Sequence, residues 1–297
     1  MISVLNVTKT FEDVRALDEL TMTVPRGAIY GLVGPNGSGK STIIRHICGV
    51  YRPDSGKVLI DGVPVYENDR VKERMFCIPD DGYYFMQASI TDMMNFYKGI
   101  YPTFDMARFN KLKEVFNLDI KRPIRKMSKG MQKQAAFWLA ICLKPEILIL
   151  DEPVDGLDPV MRRQVWGLLM SDVAERETTV LVASHNLREL EDVCDHVGIL
   201  SKGRVLLERS LSDLQEGIKK LQFVPGSDGR LPEGLNILHR SAAGRMNTLI
   251  VRGKSEDILN RAAAVNPVYF EEIPLTLEEI FIYELGGADY AVKDIIL

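Results

Sequence analysis

The stretch GPNGSGKST at residues 34–42 constrains the possible folds more than any other part of the sequence. It fits the pattern GxxxxGK[ST], and the apolar segment AIYGLV just before it predicts a strand. The segment STIIRHICGV predicts a helix over residues 41–50. Glycines between a strand and a helix allow consecutive N–H groups to point into one concave anion site. The sequence therefore predicts a phosphate-binding loop for a nucleoside triphosphate.

The side chains of this loop can be given separate tasks. Lys40 is expected to reach the β- and γ-phosphates, and the Ser41 hydroxyl is expected to bind Mg²⁺. The dipole of the following helix adds positive potential at the same place. The predicted nucleotide-binding residues of the loop are Gly34, Pro35, Asn36, Gly37, Ser38, Gly39, Lys40, Ser41 and Thr42.

Polar side chains follow two further apolar strands. The run ILIL ends in Asp151 and Glu152, and the run TTVLVASH ends in His185. Asp151 is expected to hold Mg²⁺ through water, and Glu152 to accept a proton from the attacking water. His185 is expected to donate to the γ-phosphate and orient that water. Taken alone, each of these residues also fits an ordinary surface or structural role; the phosphate loop upstream favours function.

Apolar strands that alternate with helices predict an α/β fold with a parallel sheet covered on both faces. Residues 82–142 are rich in Met, Tyr and Phe and predict helices, and a further helix is predicted over residues 186–193. After about residue 218 a turn-rich stretch, VPGSDGRLPEG, precedes a small α+β unit. The predicted elements of that unit are strands 235–241, 246–252 and 268–273 and helices 255–265 and 275–284.

Net charge, cysteine spacing and the absence of long apolar runs argue against several classes of protein. The formal charge of −4 argues against bulk nucleic-acid binding, and the four scattered cysteines form no CxxC pair. The first residues, MISVLNVTKTF, lack the basic start and apolar block of a signal peptide. No apolar run approaches the ~18 residues needed to span a bilayer. Any role at a membrane is therefore expected to depend on a partner.

The motifs taken together resemble those of the ATP-binding-cassette (ABC) ATPases. They occur in the family's order, as GPNGSGKST, MSKGMQKQ, ILILDEP, GLDP and ASH, and the resemblance covers residues 1–215. It implies an ATPase with a P-loop NTPase core, an antiparallel β subdomain and a helical subdomain at about 82–142. The predicted domains are an ABC ATPase domain over 1–218 and a small C-terminal α+β domain over 219–297.

The resemblance also implies roles that the residues alone do not establish. Phe11 matches the aromatic residue that stacks on adenine, and Asp158 matches a loop that crosses between two ATPases. Ser128 and Gly130 match the signature that caps the γ-phosphate held by a second subunit in a head-to-tail dimer. Where the family has a glutamine, this chain has Asp80 followed by Asp81; Asp80 is the aligned candidate and can meet Mg²⁺ through water.

The resemblance implies an ATP-hydrolysing subunit of a bacterial ABC transporter, with ATP and Mg²⁺ as cofactors. The motifs are similar to those of the separate ATPase subunits of bacterial exporters of drugs and antibiotic peptides. Its expected partners are a second ABC ATPase, in a homodimer or heterodimer, and an integral membrane permease, but not nucleic acid. Its expected location is cytoplasmic, on the inner face of the membrane through the permease. An importer ATPase and a soluble, non-transport ABC ATPase stay open as alternatives.

Overall fold

The computed structural model describes residues 1–226 and 232–284. Contacts divide the chain into two units, and each is described by itself. The first unit contains Met1–His185 and Val193–Glu208. The second contains Asn186–Asp192 and the chain from Arg209 onward.

The division therefore falls between Glu208 and Arg209, earlier than the predicted boundary after residue 218, and the short segment 186–192 joins the second unit. Part of the predicted turn-rich stretch, residues 227–231, and the end of the predicted second domain, residues 285–297, lie outside the described residues.

The strands numbered from the N-terminus are β1 Ile2–Phe11, β2 Val14–Val24, β3 Ile29–Val33, β4 Ser55–Ile60, β5 Val63–Pro64, β6 Met75–Ile78, β7 Ile147–Asp151, β8 Thr179–Ser184, β9 His196–Ser201 and β10 Arg204–Ser210. The helices over the same part of the chain are α1 Lys40–Ile47, α2 Asp69–Lys72, α3 Ile90–Ile100, α4 Met106–Phe116, α5 Lys129–Leu143 and α6 Pro159–Arg176.

The first unit is built on a six-stranded sheet in the order β10-β9-β3-β8-β7-β6. Strand β3 pairs in parallel with β8 and β9, and β7 pairs in parallel with β8 and β6. The central strands β3, β7 and β8 are buried at every position, which explains their continuous apolar sequences. The predicted parallel sheet is confirmed, and the carboxyl ends of its central strands lie along one edge.

A second, antiparallel sheet has the order β2-β1-β4-β5. The inward side chains of its strands, among them Val4, Met22 and Ile60, share one core with Ile43 and Ile47 of α1 and with Leu181 of the parallel sheet. This sheet therefore packs on the helix that follows the phosphate loop. The α/β fold class with an antiparallel β subdomain is confirmed.

The region after β6 is helical, as predicted. Helix α3 begins with a capping box in which Ser89 and Asp92 exchange hydrogen bonds. Trp138 of α5 stacks on Phe109 with ring centroids 4.6 Å apart and donates its indole N–H to the Phe109 carbonyl oxygen at 3.0 Å. Phe116 stacks on the same indole. Because Trp138 is fully buried, it holds α4 and α5 together.

The predicted helix over 186–193 is wrong. The structure has only a 3₁₀ helix, Leu187–Glu189, followed by a turn. The Asn186 side chain accepts from the Arg188 N–H at 3.1 Å and starts this short turn. The Glu191 carboxylate then accepts from the Leu277 N–H, a backbone donor distant in sequence. A segment this short is too small to be stable as an isolated helix, so tertiary contacts decide its conformation.

The second unit contains the strands β11 Ile218–Val224, β12 Asn236–Ala243, β13 Met246–Arg252 and β14 Tyr269–Ile273 and the helices α7 Leu211–Gly217, α8 Ser255–Ala263 and α9 Leu277–Glu284. Its sheet is antiparallel, in the order β12-β13-β11-β14. Strand β11, which the sequence pattern does not predict, lies in the interior of this sheet. Leu221, Leu249 and Ile258 form its small core.

We expect Trp138→Ala to lower the free energy of unfolding by about 3–5 kcal/mol, because it removes a buried indole and leaves a cavity between α4 and α5. Urea denaturation followed by circular dichroism measures this change. Tyr83→Ala is the control, since Tyr83 is 76% exposed and its loss is expected to change the stability by less than about 0.5 kcal/mol. Equal effects of the two substitutions would contradict the packing role of Trp138.

Candidate nucleotide-binding and hydrolysis site

The phosphate loop connects β3 to α1 and needs glycine at two close backbone contacts. Gly39 has a φ of +110°, and a Cβ there would lie 2.8 Å from the Ala16 carbonyl oxygen. A Cβ at Gly34 would lie 2.3 Å from the Leu200 carbonyl oxygen. The loop therefore closes tightly against the end of β9 and the start of β2, where only glycine leaves room for the backbone.

Lys40 begins helix α1 and is buried, with 6% of its surface exposed. Its ammonium group donates to the carbonyl oxygens of Gly34 at 2.6 Å and Pro35 at 3.3 Å. It also lies 3.6 Å from Oε1 of Glu152. A cation held inside the loop in this way is the counter-charge that a polyphosphate requires.

Asp151 ends β7 as a buried carboxylate. Its side chain lies beside Ser41, and its Oδ1 atom is buried without a hydrogen-bond partner among the described residues. Burial raises the pKa of Asp151, and the nearby Glu152 and Asp80 raise it further, whereas the Ser41 hydroxyl lowers it. A hydroxyl and an unsatisfied carboxylate oxygen are hard oxygen donors that fit Mg²⁺.

Glu152 follows Asp151 directly and turns its side chain toward β8. Its Oε2 atom lies 2.9 Å from Nδ1 of His185 and 3.3 Å from the His185 backbone nitrogen. The Glu152 N–H donates to the carbonyl oxygen of Ala183 at 2.9 Å, which continues the pairing of β7 with β8. The carboxylate is therefore placed between Lys40 on one side and His185 on the other.

Lys40, Asp151 and Glu152 line a cavity of about 450 Å³ at the carboxyl edge of the parallel sheet, whereas His185 lies outside this lining and reaches it through Glu152. Its lining includes Asn36, Gly37, Gly39, Lys40, Ser41, Thr42, Asp80, Asp151 and Glu152, and Val14, Arg15 and Ala16 of the antiparallel sheet. The structure therefore brings together the predicted phosphate, metal and proton-accepting residues. This volume is within the range of small-molecule sites.

Phe11 does not line this cavity. It ends β1, is 38% exposed, and its ring meets Tyr51 edge-on at 5.3 Å between centroids. Val14, the first residue of β2, contributes to the cavity wall instead. The stacking of Phe11 on adenine stays a prediction.

Ser128, Gly130 and Asp158 also lie outside the cavity within one copy of the chain. Ser128 caps α5 by accepting from the Met131 N–H at 3.3 Å, and Asp158 caps α6 by accepting from Val160 and Met161 at 3.0 Å. A Cβ at Gly130 would lie 2.5 Å from the Gly156 carbonyl oxygen, so α5 begins in contact with the loop that leads to Asp158.

Lys133 lies beside this site and contacts two of its residues, although its position in the sequence carries no signal of this. Its ammonium group lies 3.3 Å from Oδ1 of Asp80 and donates to the Glu152 carbonyl oxygen. The sequence shows Lys133 only as one polar position of MSKGMQKQ, so its partners become visible when α5 packs beside β6 and β7.

Comparison with known proteins agrees with this geometry. The family model described as ABC transporter matches residues 17–155. The chain is 31% identical to the ABC transporter ATP-binding protein YtrB of Bacillus subtilis over 97% of its length and 99% of that protein. It is 32% identical to the bacitracin transport ATP-binding protein BcrA of Bacillus licheniformis, over 75% of its length and 74% of that protein.

Among solved structures, a dimeric ATP-binding cassette in a post-hydrolysis state with ADP and phosphate shares the fold. The TM-score is 0.62 at 22% identity, over 71% of this chain and 99% of that one. The chain belongs to the ABC transporter family: it is an ATP-binding subunit whose reaction is the hydrolysis of ATP. Among the described residues, no helix is both long and apolar enough to span a bilayer.

We expect Lys40→Ala to weaken ATP binding by about 10-fold or more, because it removes a charged hydrogen-bond donor from the loop. Titration of the protein with a fluorescent ATP analogue measures this loss. Lys57→Ala, at an exposed position of β4, is the control and is expected to bind normally. An unchanged affinity in Lys40→Ala would argue against the assignment of the phosphate loop.

Proposed function

We propose that this chain hydrolyses MgATP in a head-to-tail dimer and thereby drives a separate membrane permease that exports a drug or antibiotic peptide. The observation that carries the proposal is the position of Glu152, 2.9 Å from His185 and 3.6 Å from Lys40 at the edge of the sheet. A carboxylate in this position is suited to accept a proton from water next to a bound γ-phosphate.

The catalytic roles follow from the groups around that carboxylate. Ser41 and Asp151 would hold Mg²⁺, which when bound neutralises charge on the phosphate oxygens. Lys40 binds the β- and γ-phosphates, Glu152 accepts the proton of the attacking water, and His185 orients Glu152 and contacts the γ-phosphate. Asp80 stays a further candidate for the metal, since it lines the same cavity.

A dimer is supported by the position of Ser128, which lies outside the nucleotide cavity of its own chain. The signature residue Ser128 caps an exposed helix start, where a hydroxyl, N–H groups and the dipole favour an anion. Because Ser128 does not line the cavity of its own chain, we assign it to the γ-phosphate of a second copy, or of a related ATPase. The structural relative with ADP and phosphate is itself a dimer.

The permease surface is supported by exposed apolar side chains after β6. Of the segment 83–101, Tyr84, Met93 and Met94 are buried, whereas the exposed members are Tyr83, Phe85, Met86, Phe96 and Ile100. Met86 is 80% exposed and Tyr83 76%. Met and aromatic side chains suit an adaptable groove for a short helix, so we place the permease contact here. This contact would locate the protein at the cytoplasmic face of the membrane.

The proposed cargo class is supported by the similarity to BcrA, whose name assigns it to bacitracin transport, and the direction of export is part of the proposal. An importer ATPase would use the same hydrolytic site with another permease. A soluble ABC ATPase that acts without a permease is the other alternative. It gives no function to the exposed side chains of Tyr83, Phe85 and Met86.

We expect Glu152→Gln to keep ATP bound and to accumulate as a dimer, because the amide cannot accept the proton while the phosphate contacts are retained. Size-exclusion chromatography with light scattering in MgATP, together with phosphate release, measures both effects. The Lys40→Ala variant is the control that is expected to stay monomeric under the same conditions. Normal phosphate release by Glu152→Gln would remove Glu152 from the role of base.

We expect Met86→Glu to reduce recovery of the permease with the tagged chain from detergent-solubilised membranes, because it places a charge on the proposed contact surface. Val50→Glu is a matched control, since Val50 is 63% exposed elsewhere in the same unit. Quantitative mass spectrometry of the recovered integral membrane proteins compares the two. Equal recovery with both variants, or recovery of ribosomes instead of a membrane protein, would contradict the proposed surface.

A further inference from the structure

The loop after β6 carries a carboxylate at the position where the family has a glutamine, and that carboxylate has a specific partner. Oδ1 of Asp80 lies 3.3 Å from the ammonium group of Lys133, which projects from α5. The two groups differ in exposure: the Lys133 side chain is 13% exposed and that of Asp80 is 57%. Lys133 is therefore the buried member of the pair.

The same ammonium group reaches the catalytic loop. Lys133 donates to the backbone carbonyl oxygen of Glu152. Since a largely buried ammonium group needs acceptors in place of water, the Glu152 carbonyl and the Asp80 carboxylate together satisfy Lys133. One side chain thus joins three segments: the loop after β6, the signature helix α5 and the loop after β7.

The backbone of Glu152 depends on such support. Its φ of +45° lies in the left-handed region, which costs a non-glycine residue about 1–3 kcal/mol. The Glu152 N–H is held by Ala183 and its carbonyl oxygen by Lys133. Both polar groups of this strained residue are therefore bonded, and they fix the direction in which its side chain leaves the backbone toward His185.

We propose that Lys133 is a positioning residue for Glu152, and that its ion pair with Asp80 links the loop after β6 to the proton-accepting carboxylate. A shift of that loop or of α5 would be passed to Glu152 through one ammonium group. The inference rests on the proposed role of Glu152 as base. For Asp80, which also lines the nucleotide cavity, the contact with Lys133 is the alternative to a contact with Mg²⁺.

The experiment compares Lys133→Met, Lys133→Arg, Asp80→Asn and the Asp80→Asn/Lys133→Met double variant. For Lys133→Met we expect kcat for ATP to fall about 10- to 100-fold, because a small displacement of a reacting group costs a rate factor of this size. We expect KM and the Kd for a fluorescent ATP analogue to stay within about twofold, since Lys133 does not line the nucleotide cavity.

Lys133→Arg keeps the charge and the donor and is expected to recover most of kcat. Asp80→Asn is expected to lower kcat less than Lys133→Met, and the double variant to be no slower than Lys133→Met alone, because both changes break one chain of contacts. Lys111→Met, at an exposed position of α4, controls for the loss of a lysine charge. Thermal melting of all variants reports any general loss of structure.

Several results would overturn the inference. One is a kcat of Lys133→Met within about twofold of the unmodified protein while Glu152→Gln is inactive. Another is a loss of kcat in Lys133→Met that Lys133→Arg does not recover, or that is accompanied by a lower melting temperature of Lys133→Met. A third is an increased Mg²⁺ requirement in Asp80→Asn alone, which would return Asp80 to the metal. If Glu152→Gln hydrolyses ATP normally, it is the role of Glu152 as base that fails.

Discussion

The parallel pairing of β3, β7 and β8 is the constraint on which the site depends. It places three carboxyl ends at one edge, and backbone hydrogen bonds continue across that edge from Gly34 to Ser184 and from Glu152 to Ala183. The phosphate loop, the two acidic residues and His185 are adjacent because their strands are adjacent. A change of register by one residue would turn each of these side chains to the other face of the sheet.

Charge is concentrated where water is largely excluded. Lys40 and Asp151 are both buried, and Asp151 has a raised pKa because burial disfavours its charged form. The loop carbonyls and Glu152 surround Lys40, while Ser41 contacts Asp151. Bound ATP would bring further negative charge to Lys40, and the Mg²⁺ proposed at Ser41 and Asp151 would bring the positive charge that the Asp151 carboxylate lacks.

The helical region is densely packed around Trp138 and exposes apolar side chains before α3. Trp138 stacks between Phe109 and Phe116 and holds α5 in place from inside. At the beginning of the same helix, Lys133 contacts Glu152, whereas exposed apolar side chains such as Met86 precede α3. A permease bound at that exposed surface would therefore act on a region whose best-packed helix also touches the catalytic backbone. If the proposed permease contact is made there, transport and hydrolysis would share this structural element.

The sequence by itself determined the class of fold and predicted that Lys40, Ser41, Asp151 and Glu152 lie together, because a glycine-rich loop between a strand and a helix and polar ends on apolar strands are local patterns. It did not determine β11, the turn after His185 or the partners of Lys133. Those depend on contacts between distant residues: β11 lies between β13 and β14, and Asp80 and Lys133 are 53 positions apart. Only packing brings such groups together, since an amino-acid sequence states the chemistry of each side chain but not which side chains will be its neighbours in space.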